Sequence, residues 1–407
     1  MARLVLGVGG GIAAFKSAHL ASLLRKRGHR VRVILTPAAA QFVTPLTFES
    51  LTGEPVYGDL WDPPRYGDDG EILGEAHIHL ARWGEAALVA PATADLLGQL
   101  ASGQARDGLT TFLLAFGGPV LLAPAMHHRM WAHPAVQESV ARLQRFGYRF
   151  LGPVAGSLAS GEEGWGRMLE AQELADLFED HLHGRDLQGK RVLVTAGPTQ
   201  EPFDAVRHIS NPSSGKMGYA LAQAAFGRGA QVVLISGPTC LPDPYGVEVH
   251  RVQRAEEMYQ EVARRFPEVD ILVAAAAVAD HRPKEFHEGK IRKEDLLFQL
   301  ELEPNPDILK EMGRRKKKGQ ILIGFAAEWG MDEGSARKKL LEKRLDMVVL
   351  NDVSGPGEGF RADTNRAFLV TAQGVQELPL LSKRELAHRI FDAAKDLPGG
   401  GRPGGGR

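Results

Sequence analysis

Two segments rich in glycine or serine have the residue types that bind phosphate groups. GVGGGIAAFK covers residues 7–16, and SNPSSGKMG covers residues 210–218. Glycines let the backbone approach a phosphate, and a helix N-terminus adds amide donors and the positive end of a dipole. The second segment lacks the G-x-x-x-x-G-K-[ST] spacing of a Walker A loop. Each segment predicts an anion site; a tight turn and a serine-rich helix cap are the structural alternatives.

Further candidate residues follow strands in the first half of the chain. Open α/β sheets bind ligands at the carboxyl ends of their strands, where APATAD (residues 90–95) and LLAPAMHHRMW (residues 121–131) fall. The second strand ends near Thr36 without the acidic residue that binds a dinucleotide ribose, so a mononucleotide fits better than NAD. His77 and His79 lie two apart at a predicted helix start and face different ways, which argues against a two-histidine metal site. We interpret His79 as a surface residue.

The second half also has a carboxylate that follows a predicted strand, and it has several cations farther along the chain. Asp280 is the only carboxylate of the strand exit AAAAVADHRP, and Lys290 opens the cationic run KIRKE. Such a run is either a solvated face or a group that steadies phosphates and Mg²⁺. Lys339 and Lys343 are four apart and share one helix face. The turn-rich segment GFRADTN, residues 359–365, could close over a ligand.

Apolar strands alternate with amphipathic helices throughout, which predicts parallel sheets covered on both faces. Residues 152–166, rich in small residues, predict a mobile flap without a regular element, and a long loop is expected between residues 195 and 216. The predicted strands are 3–8, 30–35, 86–90, 119–123, 191–195, 231–236, 271–275, 322–325 and 347–350. The predicted helices are 12–27, 95–101, 109–115, 133–145, 170–181 and 216–228.

Length and composition bound the class of protein. A chain of 407 residues predicts two domains at about 100–200 residues each. Its 49 basic and 50 acidic residues give a net charge of −1, which offers no basic excess for nucleic acid or an anionic membrane. The single cysteine, Cys240, fits a reducing compartment, and neither a signal peptide nor a spanning segment is recognised. We therefore expect a cytoplasmic protein.

The first half resembles the flavin-dependent cysteine decarboxylases, because GGIAAFK, HIHLARW, APATAD and PAMxxxMW occur in that family's order and spacing over residues 1–182. The resemblance implies FMN as cofactor and His77 as catalytic base. It also implies oxidation of a C-terminal cysteine to a thioaldehyde, which then loses carbon dioxide. The FMN-binding residues it implies are Gly10, Gly11, Ile12, Ala13, Thr36, Ala92, Thr93, Ala94 and Met126.

Two positions depart from that family's pattern. His127 stands where the motif PxMNxxMW has the asparagine that holds the substrate carboxylate, and an imidazole can also donate to a carboxylate. Ser160 stands where the family has a cysteine acid in the flap, and a hydroxyl is a far poorer acid than a thiol. Glu162 or Glu163 in the same flap is a hypothetical substitute acid.

The second half resembles phosphopantothenate–cysteine ligase over residues 190–397, through TAGPTxEPxDxVRxISNxSSGKMG, AAVAD, NPDI, GFAAE and GFxxDxN. The resemblance implies that CTP with Mg²⁺ activates 4′-phosphopantothenate as an acyl-cytidylate, which cysteine then attacks. Asn211 and Lys290 would serve the acyl-cytidylate as catalytic residues. The implied CTP-binding residues are Ala274, Ala275, Ala276, Asp280, Lys290, Asn305, Pro306, Asp307, Ile308, Phe325, Lys339 and Lys343.

Together the two matches resemble the bacterial bifunctional phosphopantothenoylcysteine decarboxylase/phosphopantothenate–cysteine ligases of coenzyme A synthesis. The fold class expected is α/β, with two doubly wound, mostly parallel-sheet domains, flavodoxin-like and then Rossmann-like. The expected boundaries are 1–182, a linker at 183–189, 190–397 and a disordered tail at 398–407. The family implies homo-oligomers, with trimers of the flavin half and dimers of the ligase half. The alternatives are a ligase with an impaired decarboxylase half, a flavin-binding regulatory protein and an NAD-dependent dehydrogenase.

Overall fold

The chain divides into two compact units, Met1–Leu182 and His183–Arg407. The computed structural model describes residues 1–58, 65–66, 72–73, 76–292, 300–328, 332–352 and 362–397. The predicted tail at 398–407, the start of GFRADTN and the end of KIRKE lie outside the described residues. In the described residues no helix is long and apolar enough to cross a membrane.

The first unit is built on a parallel sheet with the strand order β3-β2-β1-β6-β7-β8. The order reverses beside β1, so the crevice above β1 and β6 is the ligand position of a doubly wound sheet. Its strands are β1 (Arg3–Val8), β2 (Arg30–Leu35), β3 (Val56–Tyr57), β4 (Arg65–Tyr66), β5 (Ile72–Leu73), β6 (Ala86–Ala92), β7 (Val120–Pro124), β8 (Arg149–Phe150), β9 (Val154–Ser157) and β10 (Glu163–Arg167). Its helices are α1 (Ala14–Lys26), α2 (Pro45–Thr52), α3 (Ala76–Trp83), α4 (Ala94–Ala101), α5 (Gly108–Ala115), α6 (His128–Trp131), α7 (Pro134–Arg145) and α8 (Ala171–Leu182).

The central strands β1, β2, β6 and β7 are almost wholly buried, which explains why their sequences are continuously apolar rather than alternating. The predicted helices and strands of this unit are confirmed to within two residues at each end. The start of helix α5 is defined by a capping box at its N-terminus. Asp107 accepts a hydrogen bond from Thr110 N at 2.8 Å and completes a capping box with the Thr110 hydroxyl.

The prediction that residues 152–166 carry no regular element is wrong. Strands β9 and β10 form an antiparallel hairpin, in which Ser157 faces Glu163 and Ala155 faces Trp165. Most of the hairpin's residues are exposed or half-buried, so burial imposes little alternation on its sequence. Apolar periodicity, the signal used for strands, was therefore missing. We keep the name flap for residues 152–167.

The second unit is built on a larger sheet with the order β15-β14-β11-β16-β19-β20-β21-β22. Pairing is parallel up to β20 and antiparallel from β20 to β22, so the expectation of doubly wound, mostly parallel sheets is confirmed. The strands are β11 (Arg191–Ala196), β12 (Gln200–Pro202), β13 (His208–Ser210), β14 (Gln231–Ser236), β15 (Glu248–Arg251), β16 (Ile271–Ala274), β17 (His281–Pro283), β18 (Leu302–Pro304), β19 (Ile321–Glu328), β20 (Met347–Asp352), β21 (Thr364–Thr371) and β22 (Gly374–Ser382). The helices are α9 (Lys216–Gly227), α10 (Ala255–Arg265), α11 (Ile308–Arg315), α12 (Glu333–Glu342) and α13 (Lys383–Ala394).

Two features of this unit differ from the sequence expectations. The expected loop between residues 195 and 216 contains the β12–β13 hairpin, in which Glu201 pairs with Ile209. Residues 183–189, expected as a linker, already pack with the second unit, because Leu187 is buried in its core. The hairpin was not predicted because its strands are only three residues long, too short to show a periodic pattern. The burial of the linker was not predicted because Leu187 is its only apolar side chain.

Candidate active sites

A cavity of about 960 Å³ lies in the first unit, above the carboxyl ends of the central strands. Its size is in the range of pockets that enclose a cofactor. The walls come from the ends of β1, β2 and β7, the N-terminal residues of α1 and α4, and the flap. Predicted residues that line it are Gly10, Gly11, Ile12, Ala13, Thr36, Thr93, Ala94, Met126, His127 and Ser160.

Two helix N-termini meet at this cavity. The residues just before α1 line it, and so do the first residues of α4. Thr93 caps α4 by accepting a hydrogen bond from Leu96 N at 3.3 Å. A Cβ added to Gly10 would lie 2.3 Å from the Cβ of Ala38, so only glycine lets the loop after β2 pack here. The arrangement gives the cavity amide donors and a positive field, which suit a phosphate.

Cationic side chains that were not predicted also reach the cavity. Lys16, Arg106 and Arg167 line it. Lys16 Nζ lies 2.7 Å from Glu170 Oε1, and Arg167 contacts the same carboxylate. The hydrogen bond from Lys16, followed by that from Arg167, holds the pKa of Glu170 below its usual value. Lys16 is the last residue of the motif GVGGGIAAFK, so its position next to the glycines could have indicated that it lines the cavity.

His127 is joined to the flap. It precedes α6, and its Nδ1 accepts a hydrogen bond from Arg129 N at 3.3 Å. The neutral ring therefore carries its hydrogen on Nε2, which contacts Glu162 Oε2. This hydrogen bond is the largest cause that holds the pKa of Glu162 below its usual value. The sequence analysis assigned His127 and Glu162 to the same half of the chain but did not predict that they are in contact.

His128 lies beside this pair, with its ring centroid 4.2 Å from that of His127. Its Nδ1 is 3.6 Å from Glu162 Oε2, and the three side chains place ligand atoms within 4.8 Å of one another. A metal-bound histidine normally donates a hydrogen bond from its other ring nitrogen. Because Nδ1 of His127 accepts one instead, the geometry suits a hydrogen-bond donor better than a metal ligand.

Two predicted residues of the flavin half do not line the cavity. Ala92 is fully buried, and its carbonyl accepts a hydrogen bond from Ala125 N at 3.1 Å. His77 lies in the first turn of α3, which packs on α5. His79, interpreted as a surface residue, is half-buried, with Nε2 3.0 Å from Arg32 Nη1.

Two of the predicted residues of the second unit, Asn211 and Asn305, contact the chain that follows β16. Asn211 Nδ2 donates to the carbonyls of Ala277 and Val278 at 3.3 and 3.2 Å. Asn305 Nδ2 donates to the carbonyl of Ala279 at 2.9 Å, and Asn305 N donates to that of Asp280 at 2.8 Å. Two distant motifs are therefore tied to one strand exit, where Ala274, Ala275 and Ala276 are half-buried.

The segment NPDI continues into α11 and carries a second contact of the predicted set. Asp307 caps α11 by accepting from Lys310 N at 3.0 Å, and Lys343 Nζ lies 2.9 Å from Asp307 Oδ2. Ile308 is buried, and Phe325 packs half-buried against the core. The structure thus joins Lys343 to NPDI, and Lys339 lies one helical turn earlier on α12.

Lys290 is exposed, but the chain beside it is fixed by an ion pair that the sequence analysis missed. Asp204 is buried and lies 2.9 Å from Arg207 Nε. Asp204 also accepts from Ile291 N at 3.3 Å, and Arg207 donates to the carbonyl of Ile291 at 2.9 Å. Hydrogen bonds from Arg207 hold the pKa of Asp204 far below its usual value. Both residues lie within the motif EPxDxVR, and this motif was the sequence feature from which the ion pair could have been predicted.

SSGKMG and GFRADTN are also in contact. Lys216 Nζ, at the start of α9, lies 2.6 Å from Asp363 Oδ1 and lowers the pKa of Asp363. Lys383, at the start of α13, donates to the carbonyl of Ala362. Burial, with a smaller contribution from Lys216, lowers the pKa of Lys383 to about 8. Helix α9 has Gly215 at its N-cap, with φ +79°, and Gly215 N donates a hydrogen bond to Ser213 Oγ at 3.3 Å.

Both halves of the chain match protein families. Residues 1–183 match the family described as Flavoprotein. Residues 187–397 match the family described as DNA/pantothenate metabolism flavoprotein C-terminal domain. The flavin assignment and the second domain type thus rest on matches to separate parts of the chain.

Relatives match over nearly the full length. The coenzyme A biosynthesis bifunctional protein CoaBC of Vibrio vulnificus (strain CMCP6) is 44% identical over 399 residues, which cover 98% of each chain. The protein of that name in Bacillus subtilis (strain 168) is 45% identical over 392 residues, which cover 95% of each. The solved C-terminal domain of a protein of that name is 44% identical and covers 52% of this chain and 96% of that chain, with a TM-score of 0.45.

Proposed function

Because the chain belongs to the family of bifunctional coenzyme A biosynthesis proteins, we propose that its two units catalyse consecutive reactions. The second unit joins cysteine to 4′-phosphopantothenate. The first unit removes the cysteine carboxylate from that product to give 4′-phosphopantetheine. The observation that carries the proposal is the cavity of about 960 Å³, which is lined by glycines, helix N-termini and cations in the unit that matches flavoproteins.

FMN fits the first unit by the chemistry of these walls. Gly10, Gly11, Ile12 and Ala13, with the cation of Lys16, would hold the phosphate, and Thr36, Thr93, Ala94 and Met126 would line the rest of the cofactor. Bound FMN supplies a two-electron oxidant for the cysteine part of the substrate. His127 would donate its Nε2 hydrogen to the substrate carboxylate, and Ser160 faces the same space from the flap. His77 remains the proposed base, although it lies outside this cavity.

In the second unit, CTP and Mg²⁺ are the proposed partners of the ligation. The nucleotide would lie at the carboxyl end of β16 and beside β19, with Lys339 and Lys343 close to its phosphates. It would contact Ala274–Ala276, Asp280, Asn305–Ile308 and Phe325. Lys290 and Asn211 would stabilise charge on the acyl-cytidylate, since cations and amide donors lower the energy of a transferring phosphoryl group.

The assembly and location are further parts of the proposal. The resemblance supports a homo-oligomer, with trimers of the flavin half and dimers of the ligase half. The single cysteine, exposed Cys240, supports a reducing compartment such as the cytoplasm. Analytical ultracentrifugation of the full chain and of each unit would measure these stoichiometries.

The test is to incubate the FMN-loaded chain with 4′-phosphopantothenate, cysteine, CTP and Mg²⁺ and to identify the products by mass spectrometry. We expect 4′-phosphopantetheine and CMP, and no amide when CTP or Mg²⁺ is omitted. A parallel reaction with ATP tests the choice of nucleotide. Absence of any cysteine adduct would contradict the ligase assignment.

A second candidate function is a ligase with an impaired decarboxylase half. Ser160 favours it, because this poor acid lines the cavity where the resemblance implies a cysteine. In the same reaction, this alternative predicts accumulation of the cysteine adduct or of an unsaturated decarboxylated thiol. Saturated 4′-phosphopantetheine as the end product would exclude it.

A further inference from the structure

The wall of the flavin-unit cavity carries an imidazole N–H whose position is set by the fold. His127 lines the cavity, and its Nδ1 accepts the hydrogen of Arg129 N. A neutral imidazole has one donor and one acceptor nitrogen, so the hydrogen lies on Nε2. The side chain of His127 is 29% exposed, and a ligand in the cavity can therefore reach it.

The acceptor of this N–H is a carboxylate from the flap. Glu162 Oε2 contacts His127 Nε2, while the preceding flap residues Ser157, Leu158, Ala159 and Ser160 line the cavity. Leu158 N and Glu162 O are 2.8 Å apart, which closes the turn and brings Glu162 back toward His127. The chain thus already presents a carboxylate to the donor that an acidic ligand would use.

We propose that His127 and Glu162 form a carboxylate subsite that is self-occupied. Glu162 holds the Nε2 hydrogen of His127 until the carboxylate of an acidic ligand displaces it. The inference rests on the proposed decarboxylase function, and it adds Glu162 as a residue that sets the affinity for the carboxylate. The two carboxylates compete because one N–H cannot donate a full hydrogen bond to both and because two adjacent carboxylates repel each other.

The consequence differs between substrate and product. Phosphopantothenoylcysteine has a carboxylate and has to break the His127–Glu162 contact to use the donor. The decarboxylated product has none, so the contact forms again once carbon dioxide has left. Glu162 therefore weakens binding of the acid and leaves binding of the product unchanged.

The neighbouring Glu163 offers a matched control. It belongs to β10, is exposed, and pairs through its backbone with Ser157. Glu163→Gln removes the same charge from the same hairpin without changing the partner of His127. It thus separates a general change in the field of the flap from the loss of the specific contact.

The test uses two ligands that the flavin cannot oxidise to a thioaldehyde, because oxygen replaces sulfur. N-(4′-phosphopantothenoyl)serine has the carboxylate, and N-(4′-phosphopantothenoyl)ethanolamine lacks it. Binding to the FMN-loaded full chain is measured by isothermal titration calorimetry. We expect Glu162→Gln to bind the serine compound about tenfold more tightly than the wild type, the order of one charge-assisted hydrogen bond. The ethanolamine compound should bind equally to both, and Glu163→Gln should resemble the wild type with both ligands.

His127→Ala completes the test. In that background, Glu162→Gln should no longer strengthen binding of the serine compound. Equal affinity of Glu162→Gln and wild type for this compound would overturn the inference, as would a gain that both ligands share. If neither ligand binds to the wild type, the proposed decarboxylase function itself fails, and the inference fails with it.

Discussion

At the residue scale, the position of the exposed Lys290 depends on the residues that fix the backbone next to it. Asp204 accepts a hydrogen bond from the backbone N–H of Ile291, and Arg207 donates one to its carbonyl. A lysine has a flexible stem and a compact charge, so fixing the adjoining backbone limits the volume that its ammonium explores. Such contacts would position Lys290 for the ligation that we propose.

We expect Lys290→Gln to slow amide formation by at least about 100-fold, the effect of removing one group that stabilises transition-state charge. Flavin absorbance should be unchanged, because Lys290 belongs to the second unit. Formation of the cysteine adduct is followed by mass spectrometry. Lys284→Gln is the control, since Lys284 is an exposed cation paired with Glu301 at 2.9 Å. Ligation at the wild-type rate in Lys290→Gln would refute the assignment.

At the element scale, the flap is held against the cavity by backbone contacts. Met126 N donates to the carbonyl of Gly166 at 3.0 Å, so the hairpin is hydrogen-bonded to the loop after β7. A Cβ at Gly166 would lie 2.1 Å from the carbonyl oxygen of Met126, and Gly166 has φ +150°. A flap of mostly exposed residues thus keeps its place because a glycine permits this close approach.

Gly166→Ala should therefore displace the hairpin from Met126. We expect weaker retention of flavin and at least about tenfold slower decarboxylation, because even a small misplacement of positioning groups costs rate. Ligation should be unchanged. Flavin content is read from the absorbance of the purified chain, with Gly117→Ala as control, because a Cβ there meets nothing within 4 Å. Full flavin content and wild-type decarboxylation in Gly166→Ala would show that the contact is dispensable.

At the scale of the whole second unit, a buried cation joins segments far apart in sequence. Arg228 is fully buried at the end of α9. Its guanidinium donates to Asp186 at 2.6 Å, to Asp392 at 2.8 Å and to the carbonyl of His388 at 3.0 Å. The first residues of the unit and its last described helix are therefore fixed to α9.

Arg228→Ala should lower the free energy of unfolding of the second unit by about 3 kcal/mol, as expected when one partner of a buried ion pair is removed. Arg228→Met should lose less, because methionine fills more of the space. Urea unfolding of the two variants, followed by circular dichroism, measures the difference. Arg264→Ala, at a solvent-exposed ion pair, should change the unfolding free energy by less than about 1 kcal/mol. Equal stability of Arg228→Ala and wild type would contradict this role.

The sequence by itself determined the features that depend on local pattern. Continuous apolar strands and glycine-rich turns predicted parallel sheets covered on both faces and located nine of the strands and six of the helices. The same patterns located loops at strand ends that include Gly10 and Thr93, whereas Asn305 was named only because the motif NPDI resembles that of the ligase family. These signals are local, because the burial of a strand and the cap of a helix depend on residues close in the chain.

Only the tertiary structure decided which distant side chains meet. The contacts of Glu162 with His127, of Asp204 with Ile291 and of Lys216 with Asp363 join residues 35, 87 and 147 positions apart. It also placed His77 outside the cavity and folded the flap into a hairpin. Exposed polar residues have no burial pattern, so their partners depend on how the strands and loops come together rather than on sequence spacing.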